Sequence, residues 1–236
     1  MESKRARLDR FLAKTLQIPR KQVRQLLLAR RVAVDGACAT DMDLQVDEFS
    51  LIALDEQPLQ QQTPRYYMVH KPVGVVSATQ DEQHATVLEL LPPSLRAGLH
   101  IVGRLDLNTS GLVLLTNDSR WSAALMQPGA HVEKEYLVTL ANPLTPEYAP
   151  AFAAGMYFGF EDITTAPAQL EIVSSHNARV LLTEGKYHQI KRMFGRFRNP
   201  VVALHRSRVG TLALDESLSP GQWRALEADE VVQASS

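Results

Sequence analysis

The residues best placed for chemistry in this 236-residue chain lie in one run, Gly103-Arg104-Leu105-Asp106-Leu107-Asn108-Thr109-Ser110-Gly111-Leu112. It sets one carboxylate, Asp106, beside one guanidinium, Arg104, just ahead of the apolar strand Leu112-Val113-Leu114-Leu115. Gly103 and Gly111 bracket the run and permit unusual backbone angles. Asn108, Thr109 and Ser110 can brace it through side-chain to backbone hydrogen bonds. An Arg-X-Asp in a turn also serves as a plain ion pair or an Asx-turn. The alternative is a rigid mount for a single catalytic carboxylate.

Two further segments suit that alternative. Lys134-Glu135-Tyr136 opens the strand Tyr136-Leu137-Val138-Thr139-Leu140. A strand tyrosine is either core or cross-strand partner, or a platform on which a nucleobase stacks. Glu184-Gly185-Lys186-Tyr187-His188-Gln189-Ile190-Lys191-Arg192-Met193 follows a strand and opens a helix. Basic groups near a carboxylate favour its ionised form, and they can equally bind phosphate. His188 has no second ligand at metal spacing, so no metal site is expected. His205-Arg206-Ser207-Arg208 reads as a base-rich loop, either plain surface or functional. The chain carries no GxxxxGK[ST] phosphate loop, no GxGxxG fingerprint and no G-x-S-x-G elbow.

These groups need a scaffold. Strand-like runs cover 65–70, 99–103, 111–116, 135–140, 169–173, 178–183 and 201–204, and helical ones 86–91, 119–126, 146–154 and 187–196. Strands outnumber helices without alternating regularly, which predicts α+β with a mixed, mainly antiparallel sheet. Ahead of them, Leu8, Phe11, Leu12 and Leu16 recur at helical spacing. Val23, Leu26 and Leu27 stripe a second helix whose first turn can take Pro19. That helix carries Arg20 and Lys21 in its first turn, where cations oppose the helix dipole; a phosphate ligand would account for them. Arg31-Val32-Ala33-Val34-Asp35-Gly36 is a short strand ending in a turn. Asp55-Glu56-Gln57-Pro58-Leu59-Gln60-Gln61-Gln62-Thr63-Pro64 is polar and aperiodic, as a linker is. The expected division is a small N-terminal α/β domain at 1–58, a linker at 59–64 and a larger domain at 65–236.

Composition is that of an ordinary globular protein, 45% hydrophobic and 22% charged. The net charge of −1 hides segregation: the first 40 residues hold ten Lys/Arg and three acids, so +7 there meets −8 in the remainder. A basic head on an acidic body points to a nucleic-acid partner. The lone cysteine, Cys38, excludes an intramolecular disulfide and suits a reducing cytoplasm. No apolar run nears the roughly 18 residues of a membrane span, so no membrane partner is expected.

The head, on Arg7-Leu8-Asp9-Arg10-Phe11-Leu12, its basic second helix and Arg31-Val32-Ala33-Val34-Asp35-Gly36, resembles the S4 RNA-binding domain. Pro19 and Arg30 stand where that family often has Ser and a small or turn-prone residue. Over nearly its whole length the chain resembles the RsuA group of pseudouridine synthases. The carrying residues are His70-Lys71-Pro72-Val73-Gly74, Gly103-Arg104-Leu105-Asp106, Thr109-Ser110-Gly111-Leu112, Glu133-Lys134-Glu135-Tyr136 and the segment from Glu184 to Met193. Within the group, Pro64-Arg65-Tyr66-Tyr67-Met68 and the absence of a long basic C-terminal stretch favour enzymes of small-subunit (16S) ribosomal RNA. A 23S target and a non-catalytic ribosome-assembly factor are the alternatives.

The resemblance implies a cofactor-free isomerisation of uridine to pseudouridine by a cytoplasmic monomer, on ribosomal RNA or an assembly intermediate. It makes Asp106 the essential residue, attacking C1′ or removing a sugar proton. Tyr136 would stack on the detached uracil and Lys191 would pair with Asp106. Lys71 would be structural. RNA contacts would come from Arg104, His188 and Arg192, and in the head from Arg7, Arg10, Arg20, Lys21, Arg24 and Arg31.

Overall fold

A computed structural model of the chain describes residues 5–234. Its contacts separate two compact units at the Pro64–Arg65 junction.

The first unit contains β1 (Ala6–Arg7), α1 (Leu8–Leu16), α2 (Arg20–Leu28), β2 (Val32–Val34), β3 (Ala37–Cys38), β4 (Gln45–Val46), β5 (Ile52–Leu54) and β6 (Gln57–Gln60). Leu8 and Leu12 of α1 and Val23 and Leu27 of α2 sit four residues apart on their helices. They bury against Val32, Val34, Val46 and Ile52. Asp35 and Gly36 both take positive φ, 51° and 81°, closing the β2–β3 hairpin. Where the sequence reads linker, Gln57–Gln60 is a strand paired with β5. The Gln60 amide also donates to the carbonyls of Asp47 and Ser50.

Pro19 stands at the N-cap of α2, one residue outside the helix. The first-turn cation Arg20 is answered within the protein. Asp9 of α1 is fully buried and accepts hydrogen bonds from both Arg7 and Arg20. Burial acts to raise the Asp9 pKa, but the two guanidiniums outweigh it and hold the carboxyl at about 2. Such a group adds stability above its ordinary value of 3.8, and loses it as pH falls toward 2. Asp9→Asn should therefore cost about 2 kcal/mol at neutral pH. Acid titration of unfolding checks this: below pH 4 the parent should converge on the variant, and parallel curves would refute it.

The second unit is built on one sheet. Its strands are β7 (Tyr66–Lys71), β8 (His100–Val102), β9 (Ser110–Thr116), β10 (Lys134–Leu140), β13 (Gln169–Ile172), β14 (Asn177–Leu182), β15 (Val201–Val209), β16 (Leu212–Ala213) and β17 (Trp223–Ala225). A separate hairpin joins β11 (Tyr157–Phe158) to β12 (Ile163–Thr164). The helices are α3 (Pro93–Arg96), α4 (Ser119–Met126), α5 (Tyr148–Ala154), α6 (Gln189–Gly195) and α7 (Ala228–Ala234). Sheet order is β13-β14-β10-β15-β9-β7-β17, with β16 on β15 and β8 on β9. β9 and β15 run parallel, and the other ladders of this sheet are antiparallel. The architecture is thus α+β with a mixed, mainly antiparallel sheet. Among the described residues no helix is long and apolar enough to cross a membrane.

His205-Arg206-Ser207-Arg208 is not a loop. It lies inside β15, with β10 on one side and β9 meeting His205 and Arg206 on the other. Strand alternation turns Arg206 inward, where it is 2% exposed.

Candidate active site

Asp106 sits in the loop between β8 and β9, and three buried anchors hold that loop. Ser77 Oγ donates to the Leu105 carbonyl at 2.8 Å and accepts from the Leu105 amide at 3.0 Å. Lys71 Nζ, on β7, donates to the carbonyls of Thr109 (2.7 Å) and Pro72 (2.9 Å). Arg206 donates from Nη2 to the Gly103 carbonyl at 2.8 Å and from Nε to the Leu112 carbonyl at 2.9 Å. Within the loop the Thr109 amide donates to the Asp106 carbonyl at 3.0 Å. The backbone around the carboxylate is therefore fixed from three strands or loops at once. Ser77 carries no signal in the sequence, being a lone serine, and Arg206 reads there as part of a base-rich loop, surface or functional, rather than as a buried strand residue beneath the Asp106 loop.

Opposite the loop, α6 buries Ile190, Met193 and Phe194 at helical spacing. Its start is tied down by Gln189. The Gln189 amide donates to Glu184 Oε1 at 2.7 Å, and Gln189 Oε1 accepts from the Lys186 amide at 2.9 Å. His188 caps the helix in a left-handed conformation, φ 49°. That geometry sends an ammonium and an imidazole to the carboxylate: Lys191 Nζ lies 3.2 Å from Asp106 Oδ2, and His188 Nε2 lies 3.5 Å from Asp106 Oδ1. Tyr187 stacks on the His188 ring at 3.9 Å.

Asp106, Lys191, His188, Arg104 and Tyr136 share the wall of one cavity of about 110 Å³. Tyr136 enters from β10, opposite Arg206 on β15 and Val180 on β14, and packs against the hydrophobic cores to either side. Thr109 lines the same cavity, and its hydroxyl is buried without a hydrogen-bond partner among the described residues. The site thus joins a carboxylate, an aromatic face, an ammonium and an imidazole.

Other expected contacts lie elsewhere. Arg192 turns away from the cavity: it pairs with Glu161 through both terminal nitrogens, at 2.6 and 2.5 Å, and covers the Phe158 ring at 3.8 Å. It pins the β11–β12 hairpin to α6. In the first unit Arg7 and Arg20 are bound to Asp9, and Arg31 to Asp55. Arg10, Lys21 and Arg24 present exposed side chains.

Burial depresses Lys71 to about 8; Asp106 opposes this, and Arg206 and Lys191 add to it. Below pH 8 both folded and unfolded chains hold this proton. Between 8 and the ordinary value of 10.5 the unfolded chain holds more, so stability rises with pH. Turnover should move the other way, falling as pH passes 8 and the cation under the loop is neutralised. Comparing kcat and denaturant unfolding of the parent with Lys71→Met from pH 7 to 10 checks both. The variant should lack both inflections, and a parent profile flat across pH 8 would contradict the role.

A one-carboxylate pocket with an aromatic wall, on this sheet and in a chain whose first unit resembles an S4 domain, defines a class of RNA-modifying enzyme. The model of RNA pseudouridylate synthase matches residues 65–195, and that of the S4 domain matches residues 6–52. The chain belongs to the RNA pseudouridylate synthase family and is an RNA pseudouridine synthase. Among its relatives, the ribosomal small subunit pseudouridine synthase A of Pseudomonas aeruginosa is 51% identical over 95% of this chain and 98% of its own length. The protein of that name from Escherichia coli is 42% identical over 95% and 98%. A crystal structure of a pseudouridylate synthase superposes with a TM-score of 0.71 at 37% identity, covering 97% of this chain and 99% of that one.

Proposed function

We propose that this chain converts a uridine of small-subunit ribosomal RNA to pseudouridine, with Asp106 as the catalytic residue. The observation that carries the reading is the Asp106 carboxylate, held 3.2 Å from Lys191 and 3.5 Å from His188 in a cavity that Tyr136 also walls. The names of the two relatives support the RNA class.

Uridine and pseudouridine are isomers, so the reaction consumes no co-substrate. The C1′–N1 bond breaks, the uracil turns, C5 bonds to C1′, and the C5 proton is lost while N1 gains one. Asp106 serves either by attacking C1′ or by taking a sugar proton. Tyr136 offers a face for the detached uracil as it turns, which keeps water from diverting the intermediate. Lys191 and His188 hold the Asp106 carboxylate by one oxygen each. Arg104, exposed at the rim, meets phosphate or the space left by the flipped base. In the first unit Arg10, Lys21 and Arg24 supply the RNA clamp.

The test is to map pseudouridines in small-subunit ribosomal RNA from cells with and without this protein, and in transcripts treated with the purified chain. One uridine should change in both. A new pseudouridine confined to large-subunit RNA, or free uracil in place of an isomer, would each refute the assignment.

A further inference from the structure

A second cavity, of about 490 Å³, shares Lys191 and Leu204 as a wall with the first. Its character is mixed. Val73 and Val202 give it aliphatic surface that is 59% and 68% exposed. Asn108 brings an exposed amide from the loop that carries Asp106. His205 brings an imidazole that is held from two sides. Its Nδ1 is hydrogen-bonded to Ser110 Oγ at 2.9 Å, and the His70 ring meets it edge-on at 5.4 Å. Burial, and then His70, push His205 below its ordinary value, so the ring is neutral at pH 7, with one donor and one acceptor nitrogen. Its Nε2 has no hydrogen-bond partner among the described residues.

Exposed valines beside an amide and a held imidazole suit a flat heterocycle. Its faces would lie on aliphatic carbon, and its edge would meet donors and acceptors. The shared wall identifies which heterocycle. A uridine whose base enters the first cavity is covalently tied to both neighbours, and a strand leaving that cavity across Lys191 delivers its next base to the second. We propose that this cavity seats the base of a nucleotide flanking the target uridine, read by Asn108, His205 and the Val73–Val202 surface. The inference rests on the RNA-isomerising reading above.

The experiment uses short transcripts of small-subunit ribosomal RNA around the mapped uridine, with an abasic ribose placed in turn at each of two positions on either side. For the parent chain kcat/KM should fall roughly tenfold at one of these positions, the scale of a lost base contact. Val202→Asp and Asn108→Ala, both at exposed positions, should each lower kcat/KM on intact RNA, chiefly through KM. On the RNA lacking the sensitive base, each should lose nothing further, since the contact is already gone. Val202→Ala, gentler on the fold, should show the same pattern with a smaller loss. Losses that simply multiply, or a parent profile flat across all four positions, overturn the subsite and leave the reaction assignment standing. Failure of the parent to form pseudouridine in any transcript overturns that assignment, and the subsite falls with it.

Discussion

Asp106→Asn is expected to cut pseudouridine formation by ~10⁴-fold or more, the scale on which removal of an essential catalytic group is felt. RNA affinity should stay within about twofold of the parent. The asymmetry follows from how the residue is held. The loop is fixed by Ser77, Lys71 and Arg206, all through backbone atoms, and none of these bonds involves the Asp106 side chain. The Asp106 carbonyl, which accepts from the Thr109 amide, is unchanged by the substitution. What the variant loses is one anionic oxygen pair and its contacts with Lys191 and His188. Those contacts join half-buried groups, so screening keeps their share of stability small. The fold and the RNA surface should therefore survive while the chemistry does not. Release of tritium from RNA carrying 5-tritiated uridine measures the first, and fluorescence anisotropy with the same RNA the second. Turnover within tenfold of the parent would remove Asp106 from the mechanism. An equal loss of binding would make it a structural residue.

The loop, the strand after it and the helix carrying Lys191 are legible in sequence because each is a local pattern. Glycines bracket a polar run, an apolar run follows, and Ile190, Met193 and Phe194 repeat at helical spacing. What escapes is set by partners far along the chain. Gln57–Gln60 looks like linker because polar residues and a proline carry no strand period, yet Ile52–Leu54 supplies a ladder for it. Arg206 looks like a loop residue, surface or functional, because its neighbours are polar and basic. Its position opposite Gly111 instead gives it two buried carbonyls to satisfy, and a guanidinium can serve both at once. Arg20 looks like a phosphate ligand until the fold brings Asp9 beneath it, eleven residues earlier. Charge in a sequence states what a residue needs, and only the fold states who meets that need.

Gly111→Ala should cost about 3 kcal/mol or more of stability. Gly111 takes φ +114°, a region that side chains rarely adopt. A Cβ there would stand 2.3 Å from the Arg206 carbonyl oxygen and 2.6 Å from the Arg206 nitrogen. Both obstacles are backbone, so neither can rotate away. Arg206 cannot retreat either, since β10 pairs with β15 along the edge away from β9 and its own side chain is bonded to Gly103 and Leu112. The strain therefore falls on the one parallel ladder of the sheet and, through Gly103, on the Asp106 loop. Activity should drop even at temperatures where the variant stays folded. Gly195→Ala is the contrasting case: the residue is exposed in α6, and nothing lies within 4 Å of its added Cβ. That change should be neutral or stabilise by up to about 1 kcal/mol, as a glycine replaced within a helix does. Thermal unfolding of the pair decides the matter, since a general intolerance of larger residues would lower both transitions, whereas the close approach of β9 to β15 lowers only the first.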